Sequence, residues 1–255
     1  MGEPPAVLLI NHGSRRPNAA TFAHALAAAL RREESDRVVR VSFLELGVPT
    51  PAQALRRLAR EGMTDVRVVP LLFSAGYHYR IDVPAAVDAA LESEPGMRVQ
   101  IAPPLLTETH VDLIAALDAR LDEAIWDTAP GGRASSAGHR PDGLVLLAAG
   151  SSDLRARAKI IELADAWGRA HELPTEAAFC DLRGDEVRAA VAKLAAGGAR
   201  RIACGSLFLA SGRLLDAAEG AALDAGADAV AGPIGLTPAL LGLIHRRCLQ
   251  PLAAG

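Results

Sequence analysis

Residues Val7–Arg16 read V-L-L-I-N-H-G-S-R-R, a stretch that turns from apolar to polar after its fourth residue. The apolar start is typical of a parallel strand that is buried on both faces. The polar residues N-H-G-S stand where such a strand would end. Open α/β sheets bind ligands beyond the carboxyl ends of their strands. His12, beside a glycine that allows close backbone approach, is therefore a candidate ligand-binding residue.

Composition limits the range of functions. The chain has 255 residues, of which 50% are hydrophobic and only 4% aromatic, with a net charge of -3. This length suits one large domain or two of ordinary size. The charge predicts no nucleic-acid partner. Three scattered cysteines without a Cys-x-x-Cys pair argue against a structural zinc site or an iron–sulfur cluster.

The sequence shows no apolar stretch near the ~18 residues of a membrane span. Its first residues, M-G-E-P-P, lack the basic and apolar regions of a signal peptide. We therefore expect a cytoplasmic protein without a membrane partner.

Strand-like runs alternate with helical segments of about ten residues or more, which indicates βαβ units and a parallel sheet. Residues 127–143 are rich in Gly, Ser and Pro and predict a flexible linker. The pattern then begins again at Leu144. The sequence thus predicts an α/β fold of two homologous domains, each a parallel β-sheet flanked by α-helices, over residues 1–126 and 144–255. A repeat this long favours a duplicated domain over a solenoid.

The two halves share their apolar strands but differ at three polar positions. These pairs are His12 and Ala149, His78 and Arg213, and Glu45 and Asp181. If the histidines served folding, the second half would need them as well. The comparison therefore indicates that they serve function, and it predicts one active site, in the first half.

His12, Glu45 and His78 each follow a predicted strand of that half. The carboxyl ends of parallel strands meet at one edge of a sheet, so the three side chains should converge. Two imidazoles and a carboxylate can bind a divalent first-row metal and leave coordination positions open. They can equally accept protons near neutral pH. Such incomplete ligation suits a metal in transit.

Two segments resemble the signatures of the sirohydrochlorin chelatases, the ATP-independent class II enzymes of tetrapyrrole metabolism, in their long two-domain form. They are L-L-I-N-H-G-S-R-R-P at Leu8–Pro17 and P-L-L-F-S-A-G-Y-H-Y-R-I-D-V-P at Pro70–Pro84. The resemblance implies insertion of Fe²⁺ or Co²⁺ into sirohydrochlorin, towards sirohaem or cobalamin. It also implies that His12 and His78 hold the metal and accept the pyrrole protons, assisted by Glu45. The metal is then a substrate, and no permanent cofactor is expected.

Sirohydrochlorin carries many carboxylates, which guanidinium groups bind in two-point contacts. Arg15, Arg16 and Arg80 flank the histidines, and Arg213 would enter from the second half. With Ser14 they make up the predicted substrate-binding set.

Several secondary predictions concern the neighbours of these residues. Tyr77 and Tyr79 are expected either to form a wall of the pocket or to pack beneath it. Asp82 is expected to act at a helix N-terminus. His110 is expected at the surface, with the edge of the cleft as the less favoured position.

Other functions remain open at this stage. A tetrapyrrole or metal carrier would keep the cleft but would not need Glu45. A hydrolase using Ser14 is disfavoured, because the Gly-x-Ser-x-Gly motif is absent and Ser151 repeats Ser14 in the half without histidines. Iron is slightly favoured over cobalt, nickel remains open, and the protein is expected to be a monomer or a homodimer.

Overall fold

The structure, a computed structural model, describes residues 4–107, 110–128 and 140–249, so residues 129–139 of the predicted linker lie outside the described residues. The chain divides into two compact units. Unit 1 comprises Met1–Thr107 with Leu241–Gly255, and unit 2 comprises Glu108–Leu240.

Unit 1 is built on a parallel sheet of four strands. Its elements are β1 (Ala6–Asn11), α1 (Asn18–Glu33), β2 (Val39–Phe43), α2 (Pro51–Arg60), β3 (Asp65–Pro70), α3 (Val83–Leu91) and β4 (Arg98–Ile101), with a π-helical turn at His78–Asp82 before α3. The strand order is β2-β1-β3-β4. Strand β1 therefore lies inside the sheet, as its uninterrupted apolar run predicts, and Val7 to Ile10 are 0% exposed.

Unit 2 repeats this architecture. Its elements are α4 (Val111–Thr128), β5 (Gly143–Ala149), α5 (Leu154–His171), β6 (Thr175–Cys180), α6 (Asp185–Ala196), β7 (Ile202–Leu207), α7 (Arg213–Asp224) and β8 (Ala229–Pro233), and α8 (Pro238–Leu249) follows. The strand order, β6-β5-β7-β8, is the counterpart of the first sheet. The predicted fold class is confirmed. No helix among the described residues has the length and apolar character needed to cross a bilayer.

The compact units differ from the predicted sequence domains, 1–126 and 144–255, in the placement of one helix each. Helix α4 ends the first half of the sequence but belongs to unit 2, where the Arg120 guanidinium donates to the carbonyl of Ile234 at 2.9 Å. Most of α8 belongs to unit 1, where His245 Nε2 lies 2.6 Å from Glu34 Oε1. Helix α4 thus packs against β7 and β8 of the second sequence half, and α8 contacts the end of α1 in the first.

The end of β3 leads into the segment that carries His78. Strand β3 ends at Pro70, although the apolar sequence continues to Phe73. Residues beyond it still pair, because the amides of Leu105 and Leu106 donate to the carbonyls of Leu72 and Phe73 at 2.9 and 2.8 Å. These hydrogen bonds continue the pairing beyond the ends of β3 and β4, up to the residue before Ser74 in the segment that leads to His78.

Candidate active site

His12 and Glu45 are held side by side by the backbone at the ends of β1 and β2. The Leu44 amide donates to the Asn11 carbonyl, and the Glu45 amide donates to the His12 carbonyl, each at 2.9 Å. The Asn11 side chain is buried and accepts from the Gly13 amide at 2.9 Å, which turns the chain after the strand. The first two predicted site residues therefore lie on neighbouring, hydrogen-bonded backbones.

Gly13 makes this close approach possible. Its φ is +97°, a backbone conformation that residues other than glycine rarely adopt. A Cβ at this position would lie 1.7 Å from the Glu45 carbonyl oxygen. The glycine in the opening motif is thus required by the contact between His12 and Glu45.

His78 comes from the π-helical turn after β3 and meets His12. Their Nε2 atoms lie 2.9 Å apart, and the two rings cross at 84° with centroids 4.3 Å apart. Two nitrogens about 2.1 Å from one ion, at neighbouring octahedral positions about 90° apart, lie about 3 Å from each other. The separation therefore fits two imidazoles that bind the same metal ion.

Glu45 completes a group of three ligands. One ligand atom each from His12, Glu45 and His78 lies within 4.8 Å of the others. The histidines are half-buried and the carboxylate is exposed. Two nitrogens and one oxygen suit a divalent first-row metal, and three protein ligands leave positions open for a substrate. The structure brings together the three residues that the sequence predicts.

Asp82 is the residue at this site whose contact the sequence analysis missed. Its Oδ2 lies 2.6 Å from His78 Nδ1, four residues earlier on the π-helical turn. Asp82 stands directly before the first residue of α3, at the helix N-terminus as predicted, but its side chain makes no capping hydrogen bond. The signal was the four-residue spacing between His78 and Asp82, which places two side chains on the same face of a helix.

A cleft of about 310 Å³ adjoins the carboxylates of Glu45 and Asp82. Its remaining walls come from the residue after β2, the start of α2 and the first turns of α3. They are Leu44, Thr50, Pro51, Ala52, Ala85 and Ala86. The cleft gives solvent access to the acidic side of the site.

The predicted substrate-binding residues of unit 1 lie close to the ligands in sequence. Ser14 Oγ accepts from the Arg16 amide at 3.1 Å, so the hydroxyl supports the turn. Arg15, Arg16 and Arg80 have exposed side chains. Arg213 is also exposed and begins α7 in unit 2.

The two tyrosines beside His78 have different environments. Tyr77 is 65% exposed, and its ring centroid lies 6.1 Å from that of His78. The Tyr79 hydroxyl donates to the Ala102 carbonyl at 3.2 Å, and burial raises the pKa of this phenol. Tyr79 therefore packs beneath the site, whereas Tyr77 is available at its edge.

His110 belongs to unit 2, whereas the three ligands belong to unit 1. Its Nδ1 is buried without a hydrogen-bond partner among the described residues, and burial lowers the pKa of the ring. His110 was expected at the surface. It is instead half-buried, with its Nδ1 atom covered.

The CbiX family matches the chain twice, over residues 6–124 and 143–250. The chain belongs to the CbiX family. The sirohydrochlorin cobaltochelatase of Sulfurisphaera tokodaii is 33% identical over 119 residues, which are 47% of this chain and 92% of that protein. The sirohydrochlorin ferrochelatase of Priestia megaterium is 28% identical over 160 residues, which are 62% of this chain and 55% of that protein.

One solved relative of this CbiX chain is SirB from Bacillus subtilis with Fe³⁺. It superposes with a TM-score of 0.77 at 22% identity and covers 96% of this chain and 94% of that one. At this identity the match supports the fold. The resemblance to a long two-domain chelatase, predicted from the two signature segments, is confirmed.

Proposed function

We propose that this chain inserts a divalent metal, Fe²⁺ or Co²⁺, into sirohydrochlorin without ATP. The observation that carries the proposal is the 2.9 Å approach of His12 Nε2 and His78 Nε2, with the Glu45 carboxylate within ligand distance of both. Relatives named sirohydrochlorin cobaltochelatase and ferrochelatase support both the substrate and the reaction. They differ in the metal, and we slightly favour Fe²⁺.

Metal insertion exchanges one divalent ion for two pyrrole protons. The metal leaves its protein ligands and water, enters the macrocycle and bonds to four ring nitrogens, while two N–H groups lose their protons. His12 and His78 hold the ion through Nε2 while the open coordination positions face the macrocycle. As the ion departs, each freed Nε2 regains a lone pair and can accept one proton. The two protons released thus match the two imidazoles.

Glu45 supplies negative charge next to these changes. Its carboxylate is an oxygen ligand for the hydrated ion and later balances imidazolium charge. Because it is exposed, it can exchange protons and water with the adjoining cleft. We assign His12, Glu45 and His78 as the residues that contact the metal.

The substrate carboxylates are assigned to the exposed guanidiniums of Arg15, Arg16 and Arg80, near the ligands in sequence. Forked N–H donors pair with carboxylates at two points, which orients the macrocycle over the metal. Ser14 supports this loop by holding the Arg16 amide. A contribution from Arg213 of unit 2, a monomeric or homodimeric state, and a cytoplasmic location remain predictions.

An anaerobic absorbance assay with sirohydrochlorin, offered Fe²⁺ and Co²⁺ separately, tests the proposal. His12→Ala and His78→Ala should each lower the insertion rate by at least about 100-fold, because each removes a metal ligand and a proton acceptor. Glu45→Gln should also slow insertion strongly while macrocycle binding persists. His24→Ala, which removes an exposed histidine of α1 outside the site, is the matched control and should retain the full rate.

The result that would overturn the proposal is tight macrocycle binding with no insertion above the spontaneous rate. The protein would then be a tetrapyrrole or metal carrier. An unchanged rate in Glu45→Gln would remove Glu45 from the mechanism while leaving the two histidines in place.

A further inference from the structure

We propose that Asp82 is a positioning residue for metal transfer: it fixes the ring of His78 so that Nε2 is unprotonated and faces His12. The proposal rests on the proposed function, because it assigns His78 as a metal ligand. Its basis is the 2.6 Å contact between Asp82 Oδ2 and His78 Nδ1, together with the 2.9 Å separation of the two Nε2 atoms.

The tautomer follows from the partner. A carboxylate can only accept hydrogen bonds, so His78 must carry hydrogen on Nδ1 to make this contact. A neutral imidazole has one N–H, which leaves a lone pair on Nε2. That is the atom directed at His12, and a metal needs the lone pair. The other tautomer would place hydrogen on Nε2 and would lose the contact with Asp82.

The contact also restrains the orientation of the ring. His78 and Asp82 are about one-third exposed, at 35% and 34% for their side chains, so packing alone leaves the imidazole partly free to rotate. Both residues lie on the five-residue π-helical turn, which brings positions four apart together. A short charge-assisted bond at one end of the ring directs the other end towards the metal position.

The Asp82 side chain does not cap the helix that follows it. It stands directly before α3, where an aspartate often caps the helix, but it makes no capping bond. Its φ and ψ of -71° and -38° are helical, so the chain passes through it from the π-helical turn into α3 without a break.

The two carboxylates beside the histidines thus have separate roles. A carboxylate oxygen of Glu45 lies within 4.8 Å of a ring nitrogen of His12 and of His78, where it would contact the metal directly. Asp82 bonds to the opposite nitrogen of His78 and acts through that ring. Partners of this kind, hydrogen-bonded to a ligating histidine, typically change metal affinity or activity by about 10–100-fold when removed.

The test compares Asp82→Ala with Asp82→Glu and with Asp88→Ala. Asp88 is an exposed carboxylate on α3, so its variant controls for lost surface charge. Co²⁺ binding to the protein alone is measured by calorimetry, and insertion is measured separately. We expect Asp82→Ala to weaken Co²⁺ binding by about 10–100-fold, with the KM for sirohydrochlorin unchanged. Asp82→Glu should recover part of the loss, and Asp88→Ala should match wild type.

Nitrogen NMR of ¹⁵N-histidine-labelled protein provides a readout that a purely structural role would not change. In wild type, His78 should show a protonated Nδ1 and an unprotonated Nε2. Asp82→Ala removes the acceptor of the Nδ1 proton and should shift the ring towards the other tautomer, whereas Asp82→Asn can still accept through its Oδ1. Asp82→Ala protein with wild-type Co²⁺ affinity, or with an unchanged His78 tautomer, would overturn the inference. Co²⁺ binding requires no macrocycle, so the two proposals can fail separately. A protein that binds Co²⁺ but inserts none would refute the proposed function. The role of Asp82 would then be judged from the calorimetric Co²⁺ titration alone.

Discussion

The two sequence halves form equivalent parallel sheets but use the ends of their strands differently. Strand β1 is followed by His12 and Gly13, whereas β5 ends at Ala149 and is followed by Gly150. Both central strands pair on each side with parallel neighbours in the same spatial order. The apolar strands therefore suffice for the sheet, and the residues beyond them are free to differ. The three residues of the proposed site accordingly belong to unit 1.

The acidic residues after the second strands show how far this freedom extends. In unit 2, Asp181 accepts from the amides of Gly184 and Arg183 at 2.8 Å each, and these bonds hold the pKa of its carboxyl below the usual range. In unit 1, the Glu45 side chain instead lies within ligand distance of two histidines. An acid at equivalent positions thus supports a turn in one half and lies beside His12 and His78 in the other.

The largest expected effect comes from substituting Gly13, the glycine that follows the central strand of unit 1. Gly13→Ala should lower the free energy of unfolding by about 3 kcal/mol and abolish insertion, because φ is +97° and the new Cβ would meet the Glu45 carbonyl. Gly150→Ala is the matched control, since its Cβ would lie 3.5 Å from the Cys180 carbonyl, an ordinary contact. We expect it to change stability by less than about 0.5 kcal/mol.

Urea denaturation and the insertion assay measure both variants. Equal effects from the two alanines would mean that the halves are alike at this turn, and the comparison would fail. A stable but inactive Gly13→Ala protein would show that the contact with Glu45 serves the site more than the fold.

The sequence predicted what depends on local pattern. The apolar run of β1 predicted a central buried strand, and the polar residues that follow three strands predicted the meeting of His12, Glu45 and His78. The role of Asp82 was missed because a capping aspartate and a histidine-binding aspartate look alike before the π-helical turn is known. The placement of α4 and α8 was also missed, because an amphipathic pattern identifies a buried face but not the sheet that covers it.

The two units also differ in the number of buried thiols, with two in unit 2 and one in unit 1. Burial raises the pKa of Cys180 and Cys204 in unit 2, and of Cys248 in unit 1, to about 12 each. A raised folded-state pKa contributes stability that is complete below the unfolded value, near 8.5, and is lost as the pH rises towards the folded value. Each thiol should therefore cost about 1 kcal/mol of stability between pH 7.5 and 9.5.

Denaturation of wild type, Cys204→Ala and Cys248→Ala at pH 7.5 and 9.5 measures this effect. Each variant should lose about 1 kcal/mol less than wild type over the interval, whatever its stability at pH 7.5. At pH 9.5 the Tyr79 phenol, whose pKa burial raises, stays protonated in the folded state and adds little. A variant with the wild-type pH dependence would show that its thiol ionises as readily in the folded chain as in the unfolded one.

The smallest effect concerns how the helix after each second strand begins. Thr50 caps α2, since its Oγ1 accepts from the Gln53 amide at 3.3 Å and its own amide donates to the Gln53 side chain at 2.9 Å. Helix α6 begins at Asp185 and is preceded by Gly184, which has φ +73° and provides no side-chain cap. Thr50→Ala should therefore destabilise the protein by about 1 kcal/mol. The start of α6 has no capping side chain that a substitution could remove.

Thr50→Ala also separates the fold from the site, because the loop that carries Glu45 ends at this cap. That loop is held independently by the bonds from the Leu44 and Glu45 amides to the end of β1, each at 2.9 Å. We therefore expect insertion at 25 °C to stay within about twofold of wild type, as a stability loss of this size leaves the folded state dominant. Thr64→Ala, at an exposed threonine outside any helix, is the control. A tenfold loss of insertion in Thr50→Ala alone would mean that the cap also positions Glu45, and that the halves differ in their helix starts because only one of them binds a metal.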